Sequence, residues 1–156
     1  KFIEEEKPSV FHIGYNIISS NKIEFSENPS GIINELILRG NLLHLCGVFL
    51  KREVALKYPF VENRDLSGSE DWLQWLLLSA DYDILGSKKI TSAYVLHGEN
   101  SMLLANGKNT FKRINLLKKY LEENVSFQNR YGSKMPVVSG SGDLLIALDF
   151  ALEKNP

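Results

Sequence analysis

The chain has 156 residues, 44% of them apolar and 10% aromatic, with 18 basic against 19 acidic side chains. That suffices for one domain with a real core, and near-neutral charge without a basic stripe excludes an electrostatic nucleic-acid footprint. Its apolar runs, such as residues 42–50 and 75–78, are shorter or more interrupted than the roughly 20 residues a membrane-crossing helix needs, so no span is expected.

The chain starts at Lys1, and residues 1–6 read as the end of a charged helix already in progress, which suggests a piece of a longer protein. Residues 9–18 alternate with a two-residue period, Phe11, Ile13, Tyr15 and Ile17 sharing one face. With the turn residues Ser19 to Lys22 and a short strand 23–25 they form a β-hairpin over 9–26. Asn28 to Gly31 opens a helix with Ile32, Ile33, Leu36 and Ile37 at helical spacing, and Gly40 falls just past its end. The apolar run 42–50 reads as a strand covered on both faces or a buried helix segment, its short length and Gly40 favouring the strand, and it contains the single cysteine, Cys46, as a small buried hydrophobe. One cysteine cannot form an intrachain disulfide, which suits a reducing compartment.

A short helix over 53–57 stops at Pro59, and a polar loop leads to Gly68-Ser69-Glu70-Asp71-Trp72. Ser69 suits a helix N-cap, and Glu70 and Asp71 fall in the first turn, where unpaired backbone N–H groups and the positive end of the dipole favour negative charge. Acids at a helix start also serve as capping devices and nothing more. Trp72, Leu73, Trp75, Leu76, Leu77 and Leu78 follow, apolar on almost every face, as in a helix enclosed by other elements. Asp81-Tyr82-Asp83 reads as a turn. Strands 84–85 and 90–96 flank a turn at 86–89, and the second ends at His97. A loop over 98–107 precedes a helix capped by Asn109 and Thr110 that runs to about Asn124, with Phe111, Ile114, Leu117 and Leu121 on its inner stripe. Residues 128–142 are turn-rich, and a last helix over 143–153 puts Leu144, Leu145, Leu148 and Leu152 on one side. Gly140-Ser141-Gly142 before it lacks the third glycine and the preceding strand of a phosphate-binding loop, and reads as helix capping.

Four motifs in this order carry a resemblance: Gly40-Asn41 with Cys46 to Val54, then Phe60-Val61-Glu62, then Gly68 to Trp72, then Tyr94 to Ser101. Together they resemble the acceptor-side, C-terminal part of a family 2 glycosyltransferase of the GT-A fold type. The resemblance implies an α/β fold with a partial GT-A-like mixed sheet flanked by helices over 1–106, and a C-terminal helical segment over 107–156 packed on it. It implies inverting transfer from a nucleotide-sugar to a glycan or lipid-linked acceptor in cell-surface polysaccharide biosynthesis, in the cytoplasm or peripherally at the inner face of the membrane. Asp71 would be the base and Glu70 would orient the acceptor. Gly47, Trp72, Asn100 and Ser101 would contact donor or acceptor. His97 would complete the coordination of a divalent Mn or Mg ion, whose main Asp-x-Asp motif would precede this region. A Gln-x-x-Arg-Trp motif of processive synthases is not reproduced at Gln74-Trp75. The competing reading is a non-catalytic carbohydrate- or protein-binding module built on the same acidic helix start.

Overall fold

The computed structural model describes residues 7–19, 22–25, 29–96 and 106–154. Strand β1 (Val10–Ser19) turns back into β2 (Lys22–Phe25), antiparallel, with Asn16 opposite Phe25 and Ser19 opposite Lys22. The two-residue period and the turn residues between them are the cause, and the hairpin lies where the sequence places it. β3 (Gly31–Ile32) pairs antiparallel with the start of β5 (Ile84–Val95), and β4 (Val48–Leu50) pairs antiparallel with the first residues of β1. β1 and β5 run parallel, so the sheet is mixed, in the order β2-β1-β5-β3 with β4 on the same edge of β1 as β2. Helices flank it, which makes the chain mixed α/β with a C-terminal helical segment.

Three segments differ from expectation, each for a local reason. Residues 30–39 hold β3 and a single helical turn, α1 (Asn34–Ile37), instead of one longer helix. The buried Asn34 side chain fixes this: its amide donates to the carbonyls of Ser79 and Tyr82, and its oxygen accepts from Ile84 N–H. In the run 42–50 only β4 is a strand, and a 3-10 turn over Leu45–Gly47 precedes it. Nδ1 of His44 accepts from Cys46 N–H there, an arrangement that competes with a sheet ladder. Cys46 is consequently exposed, not a buried hydrophobe. Residues 86–89 do not break the strand, because β5 is continuous and its register with β1 jumps from Ser87 opposite Ile13 to Ile90 opposite Gly14. Lys88 and Lys89 bulge out there, exposed.

α2 (Arg52–Lys57) leads through the 3-10 turn Arg64–Leu66 to α3 (Glu70–Asp81). α3 is buried on nearly every face: Trp72, Leu73, Gln74, Trp75, Leu76 and Leu78 are all inside. α4 (Gly107–Glu123) begins at Asn106, whose side chain accepts from Asn109 N–H, and buries Ile114, Leu117 and Leu121. Phe111, expected on that stripe, is exposed. α5 (Val125–Tyr131) buries Phe127 and Tyr131 against α3. One contiguous core joins Val10 and Ile84 of the sheet, α3, and the inner faces of α4 and α5.

α6 (Met135–Lys154) is nearly twice as long as expected and absorbs residues 135–142 of the stretch read as turn-rich. Gly140 and Gly142 lie inside it and cap nothing. Gly142 lets α6 approach α4: a Cβ there would stand 2.6 Å from Cγ2 of Ile114. The expected core face is also turned outward, with Leu144, Leu148 and Leu152 62%, 51% and 56% exposed. The segment Val125–Glu153 contains a window of mean hydropathy 1.4, long and apolar enough to cross a membrane by length and composition alone. Counting unbroken apolar runs misses it, because Ser139 to Asp143 and Asp149 interrupt the apolar residues of α6.

Candidate functional site

The sharp approach to α3 depends on Gly68, whose φ of +85° is the left-handed region that a side chain disfavours. Ser69 occupies the N-cap position but its hydroxyl makes no capping bond. Glu70 instead ties down the approach to the helix, its Oε2 accepting from Gly68 N–H at 2.5 Å. Glu70 also lines a concavity of about 600 Å³ with Val61, Glu62, Asn63, Arg64 and Ser67. Asp71 is half-buried, its Oδ1 accepting from Trp72 N–H at 2.8 Å, and its charge acts on His44.

His44 is the centre of a side-chain cluster that sequence reasoning passed over. Its ring lies 4.3 Å from that of Tyr94 on β5 and 4.9 Å from that of Tyr15 on β1. Nδ1 is 3.0 Å from Cys46 Sγ and accepts from Cys46 N–H, so the proton of the neutral ring sits on Nε2. Cys46 Sγ in turn meets Ser92 Oγ at 3.4 Å. Burial lowers the pKa of His44, and the Asp71 carboxylate opposes that without reversing it. Burial, with Cys46 and Tyr94 adding to it, raises that of Tyr15. The signal in the sequence was His44 itself, a polar ring interrupting an apolar run beside a cysteine.

Beneath the cluster His12 is fully buried, with no hydrogen-bond partner for either ring nitrogen. Burial first, and then the neighbouring His44, lower its pKa to about 4, so it is neutral. Gly47 closes over it: a Cβ at that position would stand 2.3 Å from Ile13 O and 2.9 Å from His12 Nε2. The close approach requires glycine, but what approaches is the chain's own β1.

The candidate residues therefore divide. Gly47 and Tyr94, distant in sequence, converge around His44 and His12, and the charge of Asp71 reaches His44. Glu70 belongs to the neighbouring concavity. Trp72 is 3% exposed and donates its indole N–H to Ile37 O at 2.9 Å, so its ring is core and presents no face to a sugar. His97, Asn100 and Ser101 lie outside the described residues. Asp81 pairs with Lys57 and Asp83 with Arg130, consistent with a turn closed by surface ion pairs. Among the described residues no group of three His, Cys, Asp or Glu side chains is arranged to hold a metal ion.

No protein-family model matches the chain, and no curated protein or solved structure matches it either.

Proposed function

We propose that the chain is the acceptor-side part of an inverting, metal-dependent glycosyltransferase of the GT-A type, with Asp71 as its base. The observation that carries the reading is that two of the ordered motifs, the turn at Cys46-Gly47 and Tyr94 on β5, meet around His44, whose ring also feels the charge of Asp71 at the start of α3. In the reaction an acceptor hydroxyl attacks the anomeric carbon from the face opposite the leaving group. The new C–O bond forms, the bond to the nucleoside diphosphate breaks with its electron pair leaving on phosphate, and the hydroxyl proton passes to Asp71 Oδ2.

A hydroxyl is a poor nucleophile, and a positioned base contributes about 10²–10⁴-fold. α3 suits that role because its tryptophan-packed body holds the carboxylate in place. His44, neutral, offers a hydrogen-bonding ring beside it without competing charge. Donor, acceptor and metal contacts by His97, Asn100 and Ser101 belong to the same proposal, as does Glu70 orienting the acceptor from its concavity; no step is routed through the metal.

In the full-length protein, Asp71→Asn is expected to lower transfer from a nucleotide-sugar by about 10²–10⁴-fold while the fold is retained. Near-normal turnover would remove Asp71 from the mechanism. A carbohydrate-binding module without catalysis is the competing reading, favoured by the Tyr15, His44 and Tyr94 rings, which suit a sugar face. Glycan binding with no transfer in the full-length wild-type protein would establish it instead.

A further inference from the structure

β5 has 12 residues and β3 only 2, so one edge of β5 is left largely open. β1 runs along one side of β5 from Ile84 to Val95, while β3 covers the other side at Leu85 and Gly86 alone. Among the described residues no strand pairs with that second edge over residues 87–95. The outward N–H and C=O groups of such an edge form a template for a further strand. Lysines and bulges also serve to guard an edge, but the guard here is one-sided. Lys88 and Lys89 stand in the bulge at the β3 end, and residues 90–95 carry no charge.

Where β3 stops, the surface dips into a concavity of about 450 Å³ lined by Ser30, Gly31 and residues 85–89. Both lysines are exposed, and neither forms an ion pair among the described residues. Two ammonium groups and two hydroxyls, with no acid beside them in the lining, give this concavity the chemistry of an anion site. It is continuous with the open edge, and the two together define an occupant. A strand added antiparallel to β5 runs in the direction of β3, from Val95 toward Ser87, so its carboxyl end arrives at the lysines. Antiparallel pairing is also the more stable arrangement per residue. A parallel strand would bring a positive amino end there instead. A second copy pairing residues 90–95 with themselves supplies no anion from that ladder.

We propose that the open edge of β5 takes the carboxyl-terminal segment of another polypeptide as an added antiparallel strand, its terminal carboxylate held in the concavity by Lys88 and Lys89. Main-chain hydrogen bonds supply the affinity, and β-branched residues at alternate positions suit the exposed Ile90 and Val95. Residues 90–95, at about 3.4 Å each, make a ladder about 20 Å long. The side chains of Ser92 and Tyr94 stay with Cys46 and His44, so the inference uses none of the groups assigned to glycosyl transfer and fails separately from it.

The test is fluorescence anisotropy of the whole chain with an amino-terminally labelled hexapeptide of alternating threonine and valine, ending in a free carboxylate or in an amide. The expected result is binding of the acid form that weakens at high salt and exceeds that of the amide form by about fivefold or more. Lys88→Ala/Lys89→Ala, at two exposed positions, should bring the acid form down to the level of the amide. Methylating alternate backbone nitrogens of the peptide probes the ladder without altering the protein. One set removes the N–H groups that face β5 and should abolish binding; the other set faces solvent and should leave it. Failure of the acid peptide to bind, equal binding of acid and amide, unchanged affinity in the lysine variant, or equal effects of the two methylation sets would each overturn the proposal. So would a dimer of the chain that the peptide does not dissociate, which would put a second copy on the edge.

Discussion

At neutral pH the imidazole of His44 is uncharged, and the group nearest to altering that is Asp71. Burial lowers the ring's pKa below its usual 6.5, while the carboxylate pulls it back up. Asp71→Asn removes the opposing charge and leaves the volume, so the pKa of His44 should fall further. An NMR titration of its ring protons measures this directly, and an unchanged or raised value would mean that Asp71 and His44 do not share an environment. The experiment reads the site's geometry without needing substrate. It therefore stands whether or not Asp71 moves a proton in catalysis. His44 also shows why a residue of this kind is hard to recognise in advance. Its partners come from β1, β5 and its own turn, and only the turn is local.

Among the elements, α6 departs furthest from what its residues suggest. Leu144, Leu148 and Leu152 at helical spacing read as a core stripe, yet they face outward. The helix is rotated because its other face satisfies stronger demands. Asp149 and Glu153 have their partners on α4, and Gly142 permits the close approach of Ile114. The two glycines of α6 should accordingly behave in opposite ways. Gly142→Val drives a branched side chain into the fully buried Ile114 and should destabilise the protein by about 1–3 kcal/mol. Gly140→Ala meets open space and, by restricting the unfolded chain and improving helix propensity, should stabilise it by about 0.5–1 kcal/mol. Denaturant midpoints for the pair measure both; equal effects would contradict the rotation of α6.

For the molecule as a whole, the larger histidine contribution to the pH dependence of stability comes from His12, fully buried with both nitrogens unpartnered, and His44 adds to it in the same direction. Its folded pKa, about 4, lies below the 6.5 of an unfolded chain. Between these values the unfolded state binds the proton and the folded state does not. Stability is therefore full above about pH 6.5 and is lost progressively as pH falls toward 4, by up to about 3 kcal/mol from this residue. His12→Leu removes the group and should flatten the stability profile between pH 4 and 6.5 relative to wild type, measured by urea unfolding at each pH. A variant as steep as wild type would place the acid sensitivity elsewhere.

The sequence by itself determined the elements whose signals are local. The β1–β2 hairpin follows from a two-residue period and its turn residues; the position of α3 and its paired acids from one glycine, the acid doublet and an apolar run; α4 from its stripe and a polar start. Only the tertiary structure decided the rest. The single turn of α1 is set by Asn34 bonding to residues at 79, 82 and 84, and the continuity of β5 by a register shift that β1 imposes. The meeting of Gly47 and Tyr94 at His44, and the outward rotation of α6, likewise depend on partners tens of residues away. Periodicity along a chain reports which residues share a face; which face is buried is fixed by the charges and small residues that the neighbouring element offers.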